Sequence, residues 1–173
     1  MFLNVKEMEV RKVRFDEAFQ PGSIDFSEDD LRQATPLHIQ GTATLLEGTG
    51  GEFRVEGRFR VQMEADCDRC LAPAVFPLDE RFDLFYRPAG SDADTGEVGI
   101  DEGEAEMGFY KGLGLELADV IKEQVLLALP MQRVCRAECK GICPVCGSNR
   151  NEVPCRCEVK PADDRWVALK NFK

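Results

Sequence analysis

Eight cysteines constrain this chain more than any other feature. They fall as Cys67-Asp-Arg-Cys70, Cys135, Cys139, Cys143-Pro-Val-Cys146 and Cys155-Arg-Cys157, so six of them lie between positions 135 and 157. At 8 in 173 residues they are sparser than in secreted disulfide scaffolds. The first dozen residues carry Lys6, Glu7, Glu9, Arg11 and Lys12, where an export signal needs an apolar stretch. The expected compartment is therefore the reducing cytoplasm. Grouped cysteines there point to metal or redox chemistry rather than to disulfides.

Cys143-Pro-Val-Cys146-Gly147 is the most specific of these signals. A Cys-x-x-Cys turn directs backbone N–H groups at its first sulfur, and a glycine after the second cysteine lets the chain leave with φ > 0. Cys155 and Cys157 follow a short return and supply a third and fourth thiolate. Four sulfurs suit tetrahedral Zn²⁺, and a closed shell leaves no position for a substrate, which argues for a structural role. Alternate residues of an extended strand face opposite ways, so Arg156 is expected at a bend. The remaining four, Cys67, Cys70, Cys135 and Cys139, are expected to form a second site that ties the tail to a hairpin tip. Cys135 and Cys139 are spaced i, i+4, one helical turn apart. Assignment of either to the first site, and an iron–sulfur cluster in place of zinc, remain open on the sequence. So does a redox-active Cys67/Cys70 pair, although CDRC follows a strand rather than opening a helix, where a thiolate would be favoured.

His38 is the single histidine and there are four serines, so chemistry needing two imidazoles is excluded. His38 reads as an ordinary strand residue. No apolar run approaches the ~18–20 residues of a membrane span; Val125 to Leu129 ends at Pro130. Neither a membrane nor a small-molecule substrate is expected.

The clearest periodicity is Phe53, Val55, Gly57, Phe59, Val61 and Met63 alternating with Arg54, Glu56, Arg58, Arg60 and Gln62, a strand with one buried face. Leu37–Leu45 precedes it across a Gly-rich turn at 47–51, and Val75–Tyr86 returns after CDRC. Val10–Phe15 is a further candidate strand. Residues 17–32 read as loop with a short helix at Ser27–Arg32, and 88–106 as an acidic loop. Leu115–Leu129 carries a helical stripe of Leu117, Val120, Ile121, Val125 and Ala128. Hairpin connections join the strands into an antiparallel sheet.

Charge breaks at the same place as composition. Residues 131–173 hold nine basic and five acidic side chains, +4, which leaves −14 for residues 1–130 of the −10 total. The expected division is an acidic body, 1–130, and a basic Cys-rich tail, 131–173. Each four-thiolate zinc would carry −2 and offset part of that tail charge. A terminal helix is expected from Asp163, with Trp166, Leu169 and Phe172 on one face, read chiefly as docking on the protein. The sharper reading has Arg165, Trp166 and Lys170 touch RNA by stacking and phosphate pairing, with Arg150, Arg156 and Lys160 completing a basic surface.

Cys67-Asp-Arg-Cys70-Leu71, the helix ending Glu123-Gln-Val-Leu-Leu-Ala-Leu-Pro130, Cys139-Lys-Gly-Ile-Cys143-Pro-Val-Cys146-Gly147 and Asp164-Arg-Trp-Val-Ala-Leu-Lys170, in that order, resemble the YceD family, the large ribosomal RNA subunit accumulation proteins. The resemblance covers most of residues 37–173. It implies a role in accumulation or processing of 23S rRNA and in large-subunit assembly, and no enzymatic activity. Members that match Cys67 and Cys70 but lack the Cys143–Cys157 cluster imply two separable metal sites, the first completed by Cys135 and Cys139. An acidic chain is a poor general RNA binder. Either RNA meets only the basic tail, or the acidic body holds a basic ribosomal protein, which is the contact given more weight here. The fold expected is α+β: a twisted antiparallel sheet, one main packed helix and a C-terminal zinc-ribbon-like module with one or two structural Zn²⁺.

Overall fold

The computed structural model describes residues 1–26, 30–90 and 107–158. The chain divides into two compact units. One comprises Met1–Ala65 and Val75–Met131; the other comprises Asp66–Ala74 and the chain from Gln132 onward. The architecture is α+β, mostly sheet with few helices.

The strands follow the alternation of the sequence. In β2 (Val13–Phe19), β4 (Leu37–Leu45), β5 (Phe53–Asp66) and β6 (Pro73–Pro88), alternate apolar side chains turn to one face. On β5, Phe53, Val55, Phe59, Val61, Met63 and Ala65 are buried. On β6 the buried residues are even-numbered and apolar: Ala74, Phe76, Leu78, Phe82 and Tyr86. β2 pairs antiparallel with β4 along its whole length, Val13 opposite Ala43 and Phe19 opposite Leu37. β4 pairs antiparallel with Phe53–Arg60 of β5, and the short β3 (Leu31–Gln33) continues along the same edge at Met63–Ala65.

β6 lies on the other side of β5. Its direction is fixed by the outer-face ion pairs: Arg54 meets Asp83 at 2.6 Å and Arg58 meets Asp79, so one partner number rises as the other falls. β7 (Met107–Tyr110) then adds in parallel to Phe85–Pro88. The sheet is therefore antiparallel except at its last pair. Among the described residues it holds six strands, with a separate two-stranded ribbon of β1 (Phe2–Asn4) and β8 (Gly114–Glu116).

Two glycines interrupt the apolar alternation for a packing reason. Gly41 and Gly57 sit opposite each other in adjacent strands. A Cβ on Gly41 would lie 2.6 Å from the Phe15 ring, and one on Gly57 2.8 Å from the Phe82 ring. The two rings fill the space the missing side chains leave. Elsewhere Phe53 stacks on Tyr86 at 5.4 Å and packs against Tyr110 at 5.1 Å.

Helix α2 (Leu117–Ala128) buries Leu117, Val120, Ile121 and Val125, a stripe at helical spacing. Asp119 in its first turn complements the helix dipole. It stops where Leu129 turns extended, as the residue before Pro130 must. A one-turn helix, α1 (Val5–Met8), is capped by the Asn4 side chain, which accepts from the Lys6 amide at 3.0 Å.

Several expectations differ from this arrangement. The first long strand begins at Val13 and reaches Phe19, because the pairing with β4 satisfies its backbone whatever the polarity of Asp16 and Glu17. Leu31 and Arg32 are in a strand rather than a helix, held by pairing with β5; residues 27–29 lie outside the described residues. β1, α1, β7 and β8 are too short for periodicity to announce. Residues 91–106, expected as part of an acidic loop, and the helix expected from Asp163 fall outside the described residues.

Candidate metal centres

The second unit begins with the turn that joins β5 to β6. There Cys67 N–H donates to Ala72 O and Leu71 N–H donates to Cys67 O, both at 2.9 Å. The turn closes with Leu71 at φ 59°, a left-handed conformation unusual for a branched, bulky residue. The two residues between the cysteines hold the later segment. Asp68 Oδ2 accepts from the Arg133 amide at 2.6 Å, and Asp68 N–H donates to Arg133 O at 2.8 Å. Arg69 donates to the Cys139 carbonyl at 3.3 Å and to the Gln132 side chain at 3.2 Å.

These contacts set Cys135 and Cys139 beside the turn. Cys67 Sγ lies 3.8 Å from Cys139 Sγ, and Cys70 Sγ lies 3.7 Å from Cys135 Sγ. The Cys135 amide donates to Cys67 Sγ at 3.3 Å. The i, i+4 spacing is spanned by a turn, with Cys139 N–H on Arg136 O at 3.1 Å, and not by a helix.

The second group is built more locally. Gly147 takes φ 72° and its amide donates to Cys143 O at 2.8 Å. Cys143 N–H donates to Ser148 O at 2.8 Å, and an isolated bridge joins Ile142 to Asn149. The Ser148 hydroxyl lies 3.1 Å from Cys146 Sγ. Cys155 and Cys157 approach on irregular backbone, and both sulfurs enter the group.

The structure thus gathers the eight sulfurs as Cys67, Cys70, Cys135 and Cys139, and as Cys143, Cys146, Cys155 and Cys157. Within each group all four Sγ atoms lie within 4.8 Å of one another. Cys67, Cys70, Cys139 and Cys143 are buried, while Cys135, Cys146 and Cys157 reach solvent.

Electrostatics divides each group. Burial resists ionisation of Cys67, but the amides of Cys135, Arg69 and Cys70 prevail and bring it down to about 6. The Asn151 side-chain amide lowers Cys139. Cys135, although it reaches solvent, is pushed up to about 12 by partial desolvation of its sulfur and by its neighbours Cys139 and Cys70. In the other group the Ser148 hydroxyl and amide bring Cys146 down to about 6, the amides of Cys146 and Val145 lower Cys143, and Cys157 is pushed up to about 12 chiefly by Cys146. The first thiolates to form hold their neighbours protonated. A divalent cation removes that conflict, so the donor set and its spacing both fit a metal ion.

Of the residues considered for RNA contact, Arg150 and Arg156 are exposed in the second unit; Lys160, Arg165, Trp166 and Lys170 lie outside the described residues. His38 is exposed on β4. Sequence reasoning passed over Asp68, Arg69 and Asn151. The first two lie inside a recognised motif, but their partners are some 65 positions away in the chain. Asn151 sits in a turn-forming stretch and carries no sequence signal of its own.

Fold and site define an α+β protein, mostly sheet, with two four-cysteine groups that can each take a metal ion. A family model described as "Large ribosomal RNA subunit accumulation protein YceD" matches residues 55–173, and the chain belongs to the YceD family. It is 23% identical over 169 residues to YlbN of Bacillus subtilis, an uncharacterized protein, covering 96% of this chain and 91% of that one. It is 31% identical over 120 residues to an uncharacterized protein of Mycobacterium tuberculosis, 66% of this chain and 53% of the relative. A maize protein named large ribosomal RNA subunit accumulation protein YCED homolog 1, chloroplastic, is 25% identical over 133 residues, 64% of this chain and 45% of its own. The chain thus spans most of the Bacillus relative and about half of the other two. No solved structure matches it significantly. Among the described residues no helix is long and apolar enough to cross a membrane.

Proposed function

We propose that this protein is a non-catalytic cytoplasmic factor for large-subunit rRNA accumulation and subunit assembly, and that both cysteine groups hold structural Zn²⁺. The family description and the maize relative's name support the first part. One observation supports the second. In the described part of the second unit, the buried residues are Cys67, Cys70, Cys139 and Cys143 together with Ala74 and Gly141. Such a unit has almost no apolar core, so metal must supply the folding energy that apolar burial supplies elsewhere.

The spacing fits zinc. With Zn–S bonds of ~2.3 Å, a regular tetrahedron has edges of about 3.8 Å; two sulfur pairs of the first group stand at 3.8 and 3.7 Å, and all pairs in each group lie within 4.8 Å. A four-iron cluster places an iron between each sulfur and the centre, and would spread its cysteines farther than this. Four protein ligands leave no coordination site for a substrate, which favours structure over catalysis. We take residues 1–130 as an acidic body and 131–173 as the basic tail, with the ribbon-like module built around the second group.

A specific observation favours direct contact with RNA through the tail over contact only through a basic ribosomal protein. In the sheet Arg32 pairs with Glu64, Arg54 with Asp83, and Arg58 and Arg60 with Asp79, while Arg14 and Arg81 make no ion pair among the described residues. In the second unit Arg136, Lys140, Arg150 and Arg156 are exposed and make no ion pair among the described residues. Unpaired cations are the ones that release counterions on meeting phosphate.

The test is elemental analysis of the purified chain followed by co-sedimentation with large-subunit precursors. About two zinc ions per chain with no titratable thiols, and recovery in precursor fractions, are expected. Free Cys67 and Cys70 thiols that cycle with a dithiol reductant would favour the redox reading, and absence from every precursor fraction would remove the ribosomal one. Reversing the charge of Arg136, Lys140, Arg150 and Arg156 should weaken binding to rRNA fragments and flatten its salt dependence. Unchanged binding would return the contact to a protein partner.

A further inference from the structure

Asn151 lies on the segment between Cys146 and Cys155, within the second cysteine group, yet its side chain serves the first. Its Nδ2 donates to Cys139 Sγ at 3.3 Å. Its Oδ1 accepts from the amide of Lys140, the residue after Cys139, at 2.9 Å. Asn151 is itself held from within its own loop. Its backbone N–H and its Nδ2 both donate to Asn149 Oδ1, at 3.0 and 2.9 Å, and Asn149 Nδ2 donates to the Glu152 carboxylate at 3.0 Å.

Two backbone contacts run the same way. The Ile142 amide, next to Cys143, donates to the carbonyl of Arg69, inside the Cys67–Cys70 turn, at 2.9 Å. The Arg150 amide donates to Gly141 O at 2.9 Å. A Cβ on Gly141 would stand 2.8 Å from Arg69 O, so only glycine, here at φ 69°, allows the two segments this close.

We propose that Asn151 is a positioning residue for the first metal group, and that through it a metal in the second group raises the affinity of the first. The inference rests on the reading that both groups bind metal. A four-thiolate site carries excess negative charge. An N–H donated to one sulfur offsets part of it and fixes that sulfur's direction, and partners beyond the ligands are worth about 10–100-fold in metal affinity. The loop that delivers this N–H has both ends anchored in the second group. A metal there orders the loop in advance, so the first group no longer bears that entropy cost. By linkage the effect is reciprocal.

The test uses the full chain. Zn²⁺ affinities are measured by chelator competition, and Co²⁺ serves as a spectroscopic reporter of each thiolate group. Asn151→Asp keeps the acceptor for Lys140 N–H but sets an anionic oxygen against the sulfur. Cys146→Ser with Cys157→Ser disables the second group. Asn151→Asp should weaken the first group about 10–100-fold and move its sulfur-to-cobalt band to lower energy. The second group's band should remain, which shows that the unit still assembles. Disabling the second group should weaken the first by a comparable factor, and adding Asn151→Asp to that background should cost no more than about twofold. First-group affinity within twofold of the parent in Asn151→Asp, losses that multiply, or loss of both bands in Asn151→Asp would each overturn the coupling. Absence of metal binding by the parent chain would instead overturn the zinc reading on which it rests.

Discussion

The two units answer the same thermodynamic demand with different chemistry. Ordering a chain costs conformational entropy, and something must be buried to offset it. The first unit buries Leu3, Leu37, Ile39, Phe53, Phe59, Met63, Leu117 and Ile121, each under 2% exposed. The second, in its described part, buries sulfur. An apolar core is thus one solution among two in a single chain. The first unit should fail to a cavity and the second to a chelator.

The largest expected effect follows directly. A structural zinc contributes about 10–16 kcal/mol of apparent binding free energy in small domains, so chelation should melt the second unit. Backbone hydrogen exchange should then be fast at Ile142, Cys143 and Arg150, while β4 and β5 stay protected. Cys67→Ser, at a fully buried sulfur, should remove one metal per chain with the same local loss. Protection lost equally in β4 and β5 on chelation would break the comparison.

The converse substitution is Phe53→Ala. Its ring is fully buried between Tyr86 and Tyr110. Truncation should cost about 3–5 kcal/mol of first-unit stability, read by denaturant unfolding, and leave metal content unchanged. Loss of zinc in this variant would mean that the second unit depends on the first for more than covalent connection.

What was legible in the sequence divides along the same line. β4 and the buried faces of β5 and β6 follow from period-2 alternation, and the α2 stripe from period 3.6, because in these elements burial itself writes the pattern. The edge strand β2 and the short β3, β7 and β1–β8 pairs take their conformation from neighbours, so their own residues say little. For the cysteines, spacing marks turns and glycines but not the company each sulfur keeps. That company is set by Asp68 and Arg69 reaching residues 132–139, contacts that exist only once the chain has folded. Asn151 was invisible for the same reason.

A smaller effect distinguishes the two turns that open the groups. Gly147 and Leu71 occupy equivalent places, each just after the second cysteine and each left-handed, at φ 72° and φ 59°. Nothing lies within 4 Å of where a Gly147 Cβ would stand, so Gly147→Ala meets only the conformational cost, about 1–2 kcal/mol. Leu71→Gly relieves a similar strain but loses about 0.5–1 kcal/mol to unfolded-chain entropy, so it should be neutral to slightly stabilising. Metal retention under rising chelator concentration measures both. A clear loss from Leu71→Gly would show that the exposed leucine side chain holds the turn by a contact of its own.

Acid should separate the units last and most gently. On the zinc reading, metal should leave the second unit as protons compete for its thiolates. The first unit responds through Asp83 and Asp79, whose carboxylates are held below the usual range, chiefly by hydrogen bonds from Arg54 and Arg58 respectively. A carboxylate with a lowered folded pKa contributes stability above its unfolded pKa and loses it as pH falls through the folded one. The sheet's midpoint should therefore hold at mildly acidic pH, where metal is already leaving, and decline only below the ordinary carboxylate range. Asp83→Asn should flatten that decline while lowering the neutral-pH midpoint only slightly, since the pair is half exposed and screened. Thermal melts of the full chain across the acid range, with metal release followed in parallel, check the order. A sheet that melts before the metal departs would reverse the contrast between a unit held by apolar packing and one held by thiolates.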